Sequence, residues 1–249
     1  MSATPLTSPS RSLAAPRRIG VYGGTFDPIH LAHLILAEEV RERLGLERVL
    51  FVPSNLPPHK GETLPSGAER LALVRLAIRG NPAFGALDLE VRRDGKSYTV
   101  ETLRELARRL PARTELFFLV GMDAFEEIGT WHEADRLAAV AHFALFPRVG
   151  HPLADPRICA PKAWGLTTAP KRLPGGVQAW PTAAGTRVFL VPTEQLSIAA
   201  STIRARVARG ASIRYLVPAA VERAIARGGL YRHSAASARG KTPRHTKGA

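Results

Sequence analysis

The sequence is short of cysteine: Cys159 is the only one in 249 residues. One thiol excludes a disulfide framework and fits a reducing compartment. No apolar run approaches the roughly 20 residues that cross a bilayer, and the N-terminus has no apolar core of the secretory kind, so a soluble, cytoplasmic protein is expected. A GxxxxGK[ST] phosphate loop is missing, and so is HExxH. Acidic residues are missing from both ends. Residues 1–18 hold Arg11, Arg17 and Arg18, and residues 232–249 hold Arg232, Arg239, Lys241, Arg244 and Lys247, with no Asp or Glu in either stretch. The ends therefore carry eight of the fourteen net positive charges, and the body keeps +6. Such tails read as solvated disorder rather than a nucleic-acid arm. A modestly positive body suits polyphosphate partners.

With 45% hydrophobic residues, the chain has enough apolar material for one α/β domain or two small ones. The pattern divides it into a disordered extension over 1–17, a folded domain over 18–231 and a disordered basic tail over 232–249. Within the domain, residues 147–186 hold seven prolines and five glycines. That density without periodicity reads as a loop. Its length marks an insertion, suited to covering a site or making a contact between subunits.

The most informative stretch is Arg18–Leu34, RIGVYGGTFDPIHLAHL. Ile19–Tyr22 reads as a strand, Gly23-Gly24 and Thr25–Pro28 as a turn, and the segment from Ile29 as a helix. Strand, glycine turn and helix in succession form the first half of a nucleotide-binding unit. The glycines let backbone approach a phosphate, and the helix start offers unpaired N–H groups. His30 and His33 are three residues apart on the opening turn and share a face. Two imidazoles there can meet the charge a phosphate gains in a transition state. The second strand, Arg48–Val52, ends in Pro53-Ser54-Asn55 rather than in an acid, which disfavours NAD as a redox cofactor.

Further along, Pro57–Lys60 presents His59 and Lys60 on a stiff loop, either an ordinary polar loop or a basic pair. Ala68–Ile78 reads as a helix and Leu87–Val91 as an edge strand. Ser97–Leu103 opens a helix with Ser97 or Thr99 as N-cap, again at a potential anion site. Glu115–Val120 is the strongest strand pattern. Asp123 follows its C-terminal end, where open α/β sheets bind ligands; it can hold a ribose hydroxyl or a Mg²⁺ water, or cap a helix. Trp131 alone reads as a core residue. Arg148, after the strand Ala141–Phe146, is either a phosphate clamp or a surface arginine. Arg187–Val191 resumes the sheet, and Ile213–Pro218 leads into a last helix over Ala219–Ala226.

GGTFDPIHLAH resembles the signature of the nucleotidylyltransferase superfamily. VPSNLPPHK, SYTVETL, GMDAFEEIGTWHEADRL and the closing YLVP segment resemble one branch of it, the nicotinate-nucleotide adenylyltransferases. IAASTIR resembles the superfamily's second signature, with Ala199 and Ala200 where serines are usual. The resemblance implies a Rossmann-like, doubly wound parallel α/β fold with a small helical C-terminal part. It implies adenylyl transfer from ATP to nicotinate mononucleotide, with Mg²⁺ carried by ATP and no protein-held metal. His30 and His33 would be the catalytic pair. Gly23, Gly24, Thr25 and Phe26 with Ser201, Thr202 and Arg204 would complete the ATP site. Asp27, His59, Lys60, Tyr98, Thr99, Asp123, Trp131 and Arg148 would serve the mononucleotide, with Trp131 stacking on the pyridine ring. Another acceptor (nicotinamide mononucleotide or phosphopantetheine) stays open on the residues alone, as does a non-catalytic RNA-binding protein using the basic tails. A homo-oligomer is also open; no membrane partner is expected.

Overall fold

In a computed structural model of the chain, residues 17–55 and 65–232 are described. Most of both tails, and His59 and Lys60, lie outside these residues. Arg17 and Arg232, assigned above to the tails, lie inside them, and the Arg17 guanidinium pairs with Glu47.

The elements follow as β1 (Arg18–Gly24), α1 (Leu31–Leu44), β2 (Arg48–Pro53), α2 (Gly67–Ala77), β3 (Phe84–Ala86), α3 (Thr99–Arg109), β4 (Glu115–Gly121), α4 (Met122–Phe125), α5 (Ala134–Leu137), β5 (His142–Phe146), β6 (Lys171–Arg172), β7 (Gln178–Pro181), β8 (Arg187–Leu190), α6 (Ala200–Ala208) and α7 (Ala219–Gly228). The strands form one sheet in the order β3-β2-β1-β4-β5-β8-β7-β6. From β3 to β8 all neighbours are parallel, while β7 and β6 are antiparallel additions.

Alternation along the central strands sorts side chains to two buried faces, because successive residues of a strand point to opposite sides. Phe117 and Leu119 of β4 pack with α1, α2, α6 and α7 through Leu36, Val40, Leu73, Ile203 and Val221. Leu116, Phe118 and Val120 face the other way, onto Val100 and Leu103 of α3, Met122 and Phe125 of α4, and Leu137 of α5. Helix α1 ends at Gly45, in the left-handed conformation (φ 60°), whose N–H closes on Glu42 as a glycine C-cap does.

Two sequence expectations are corrected. The edge strand is Phe84–Ala86, and Leu87–Val91 is not a strand. Its last ladder bond is Leu87 N–H to the Phe51 carbonyl, after which Arg92 and Arg93 N–H close back on Asp88 and Glu90 as a turn. The alternation came from one buried residue, Leu89, and one acid turned inward, Glu90. Residues 147–186 are not a structureless loop. They supply β6, β7 and three single-turn helices, and they bury Trp164, Val177 and Trp180. Their prolines and glycines punctuate short turns between packed residues. Trp164 anchors the segment, its Nε1–H donating to the Ala134 carbonyl at 2.9 Å.

Trp164→Ala is expected to cost about 3–5 kcal/mol of stability, as aromatic deletions in cores do. Urea unfolding checks it: a loss below about 1 kcal/mol would show that the segment is a peripheral insertion after all.

Candidate active site

The strand order reverses direction between β1 and β4, and at their C-terminal ends the chain departs to opposite sides. That split is where doubly wound sheets open a crevice. A cleft of about 700 Å³ lies there, lined by Gly23, Gly24, Thr25 and Phe26 after β1 and by Gly121 and Asp123 at the end of β4. His33, Thr99, Trp131 and Arg148 complete its walls. A second cavity of about 350 Å³ adjoins it, bounded by Ala32 and Leu36 of α1, His151, and Glu194–Ala199 before α6. Asp123 and Arg148 line both; their side chains approach to 3.7 Å. Gly121 lies close beneath them: a Cβ there would come 2.3 Å from Asp123 Oδ1 and 2.8 Å from Arg148 Cγ, so any side chain at 121 would displace this pair.

The two histidines occupy different depths. His30 is the N-cap of α1 and is 1% exposed. Its ring stacks on that of His33, with centroids 3.7 Å apart, and only His33 reaches the cleft wall. The His30 backbone N–H donates to His33 Nδ1 at 3.3 Å. A neutral ring that accepts at Nδ1 carries its proton on Nε2, so His33 is a donor at that atom. His30 Nδ1 is buried without a partner, an uncommon state for a buried polar atom and one that calls for an explanation. Burial, and then the Arg148 charge, lower the His30 pKa to about 4. Burial, His30 and Arg148 hold His33 well below its usual value. Both rings are therefore neutral at pH 7. Phe26, in the left-handed region at φ 47°, packs edge-on against His33 and Tyr22 at 5.2 and 5.4 Å.

The start of α1 is less open than the sequence indicates. The Leu31 N–H donates to the Leu216 carbonyl, and the His33 N–H returns to the His30 carbonyl, both at 3.0 Å. Those two groups are spent on the protein, which leaves fewer of the helix's own N–H groups for an anion.

Several predicted residues are absent from both cavities. Asp27 is 2% exposed and sits behind the turn, accepting from Tyr231 Oη at 2.8 Å. Tyr98 caps α3 with its backbone, and its ring stacks outside on His132 at 4.2 Å, so neither Ser97 nor Thr99 is the cap. Ser201 and Thr202 are exposed on α6. Arg204 is engaged with Asp27.

Other residues line the cleft unannounced. Glu90, Ser97 and Thr102 form one wall. Thr102 Oγ1 donates to Glu90 Oε1 at 2.8 Å, and burial raises the Glu90 pKa. Ser97 Oγ is buried without a partner. Reading Leu87–Val91 as a strand hid Glu90; the spacing of Glu90 and Thr102 carries no signal. At the opposite side Trp131 meets Phe118 edge-on at 6.1 Å, leaving the indole as part of the cleft wall.

The cytidylyltransferase-like family model matches residues 21–206. A probable nicotinate-nucleotide adenylyltransferase of Thermomicrobium roseum is 45% identical over 228 residues, 91% of this chain and 97% of that protein. A second, from Exiguobacterium sibiricum, is 40% identical over 214 residues, covering 86% and 98%. Among solved structures, the Plasmodium falciparum nicotinic acid mononucleotide adenylyltransferase complexed with NaAD superposes with a TM-score of 0.65 at 20% identity, over 86% of this chain and 97% of that one. This last likeness concerns the fold.

The buried histidines set a pH dependence. Their folded pKa values lie below the unfolded value near 6.5, so the unfolded chain takes up protons first as pH falls. Stability contributed by the neutral rings is present above about pH 6.5 and is lost toward pH 4. For His30 the lowering from 6.5 to about 4 corresponds to a loss of about 3 kcal/mol. Denaturant midpoints between pH 7 and 4.5 should fall in the native protein and fall less in His30→Asn. Equal slopes would contradict the burial account.

Proposed function

Because this chain belongs to the nicotinate-nucleotide adenylyltransferases within the cytidylyltransferase-like family, we propose that its cleft transfers the adenylyl group of ATP to nicotinate mononucleotide. The products are deamido-NAD and pyrophosphate, in NAD biosynthesis. The observation that carries this reading is one crevice that joins a stacked imidazole pair at a glycine turn to an aromatic wall on its far side. The two cavities sharing Asp123 and Arg148 give room for two nucleotides.

In the reaction, a phosphate oxygen of the mononucleotide attacks the α-phosphorus of ATP. A bond forms between them as the bond from that phosphorus to the bridging oxygen breaks, and pyrophosphate leaves. No covalent intermediate with the protein is required. The protein's part is positioning and charge stabilisation. His33 Nε2–H would donate to the triphosphate from the cleft wall. His30, stacked behind it, would orient that ring and give its unpartnered nitrogen a role once the nucleotide is in place. Gly23 and Gly24 would let the chain pass close to the phosphates. Neutral imidazoles suit the task, since they donate hydrogen bonds without the cost of a buried charge. Ser201, Thr202 and Arg204 would flank the phosphates from α6.

On the acceptor side, the Trp131 face suits an electron-poor pyridinium. Thr99 at the start of α3, beside Ser97, offers donors for the ring's carboxylate. Asp123 would hold a ribose hydroxyl, and Arg148 a phosphate. His59 and Lys60 remain proposed phosphate contacts from the loop after β2. Mg²⁺ would arrive on ATP and neutralise phosphate charge. Imidazoles, a glycine turn and a single shared carboxylate fit an ion brought by the nucleotide better than one resident on the protein. Among the described residues no cluster of three His, Cys, Asp or Glu is placed to hold one.

Pyrophosphate release with ATP and Mg²⁺ should be fast with nicotinate mononucleotide and much slower with nicotinamide mononucleotide or phosphopantetheine. No release with any pyridine mononucleotide would refute the assignment. His30→Ala should lower turnover by about 100-fold or more, because it removes the ring that orients the His33 donor, and a displaced donor costs about as much as a lost one. Near-native turnover in a folded variant would remove His30 from the mechanism.

A further inference from the structure

Behind the cleft, Asp27 is the meeting point of groups from two distant parts of the chain. Tyr231 Oη donates to Asp27 Oδ1 at 2.8 Å. Arg204 Nη1 donates to the Asp27 carbonyl at 2.7 Å and lies 3.2 Å from Oδ2. The second approach is an ion-pair contact without hydrogen-bond alignment, so Oδ2 is a buried acceptor with no proper donor. Burial, helped by the Asp27 charge, holds the Tyr231 hydroxyl proton against loss, so Tyr231 remains a donor. Neither Tyr231 nor Asp27 lines either cavity.

Arg204 is the link outward. Among the described residues only its Nη1 is engaged, which leaves Nη2 and Nε with donors to spend. We propose that Tyr231 is a positioning residue for ATP: by satisfying Asp27, its hydroxyl limits how tightly the carboxylate holds Arg204 and so keeps the guanidinium available to the nucleotide's phosphates. This rests on the reading of Arg204 as an ATP residue given above. A buried carboxylate must find donors, and charge-assisted bonds are strong in such surroundings. With the phenol present, the negative charge is shared between Oη–H and the guanidinium. Without it, Arg204 is the remaining partner and the ion pair tightens.

Steady-state kinetics on the full chain test this with Tyr231→Phe, Arg204→Ala, the two combined, and Tyr231→Phe with Asp27→Asn. Tyr231→Phe should raise KM for ATP about tenfold, the scale of one hydrogen bond to a charged group, with KM for the mononucleotide nearly unchanged. Arg204→Ala should raise KM for ATP at least as much, and adding Tyr231→Phe to it should change little. Asp27→Asn should restore KM for ATP in the Tyr231→Phe background, because a neutral amide no longer withholds the guanidinium; this variant also serves if Tyr231→Phe alone folds poorly. An unchanged KM for ATP in Tyr231→Phe, beside an impaired Arg204→Ala, overturns the positioning role alone. Independent, multiplying effects of the two substitutions, equal rises in both KM values, or no rescue by Asp27→Asn overturn it too. Native ATP kinetics in Arg204→Ala would instead remove the reading of Arg204 on which the proposal stands.

Discussion

A buried guanidinium fixes the geometry on which the site depends. Arg70, on α2 and 1% exposed, donates to the carbonyls of Thr25 at 2.5 Å, Ser54 at 2.6 Å, Asn55 at 3.0 Å and Pro65 at 3.2 Å. It thereby ties the turn after β1 to the chain on both sides of residues 56–64. Carbonyls carry partial negative charge, so four of them can solvate a cation that water no longer reaches. Burial lowers the Arg70 pKa, while the Asp27 carboxylate partly opposes the shift. The result is a turn clamped from behind, with its glycines and His33 presented forward.

Preorganisation of this kind matters because the reaction described here asks little of the protein beyond placement and charge. His33 is held at Nδ1 by the His30 backbone, which settles its tautomer. Phe26 and Tyr22 pack against its ring edge-on. Asp123 and Arg148 pack directly over Gly121, so a side chain at position 121 would displace the pair that joins the two cavities. Each of these constraints lies in backbone or packing rather than in the groups that would touch substrate.

Much of this was legible in the sequence. The strand, glycine turn and helix at Arg18–Leu44 could be read because local chemistry and hydrophobic period agree there. So could Asp123, since a strong apolar strand announces where its C-terminal end falls. The resemblance added the acceptor and brought Trp131, which composition alone assigns to the core, to the cleft wall as a proposed stacking surface. What stayed hidden depended on distant partners. Nothing in FDPIH shows that Asp27 would turn inward toward Tyr231, 204 positions away. Nor does it show that Leu216 would claim the first N–H of α1. Prolines and glycines over 147–186 concealed two strands because breakers mark turns without revealing what packs between them. Glu90 was lost for the opposite reason, when a short alternation imitated a strand.

The central claim is that a neutral, stacked imidazole pair receives the triphosphate. Nitrogen-15 NMR of the histidine rings at pH 7, without and with a non-hydrolysable ATP analogue, tests it most directly. The account predicts neutral tautomers for His30 and His33 in the free protein, and large changes at both rings on saturation, as the phosphates engage His33 and the ring stacked on it responds. Ring signals of His30 and His33 that stay in place while the analogue binds would contradict it.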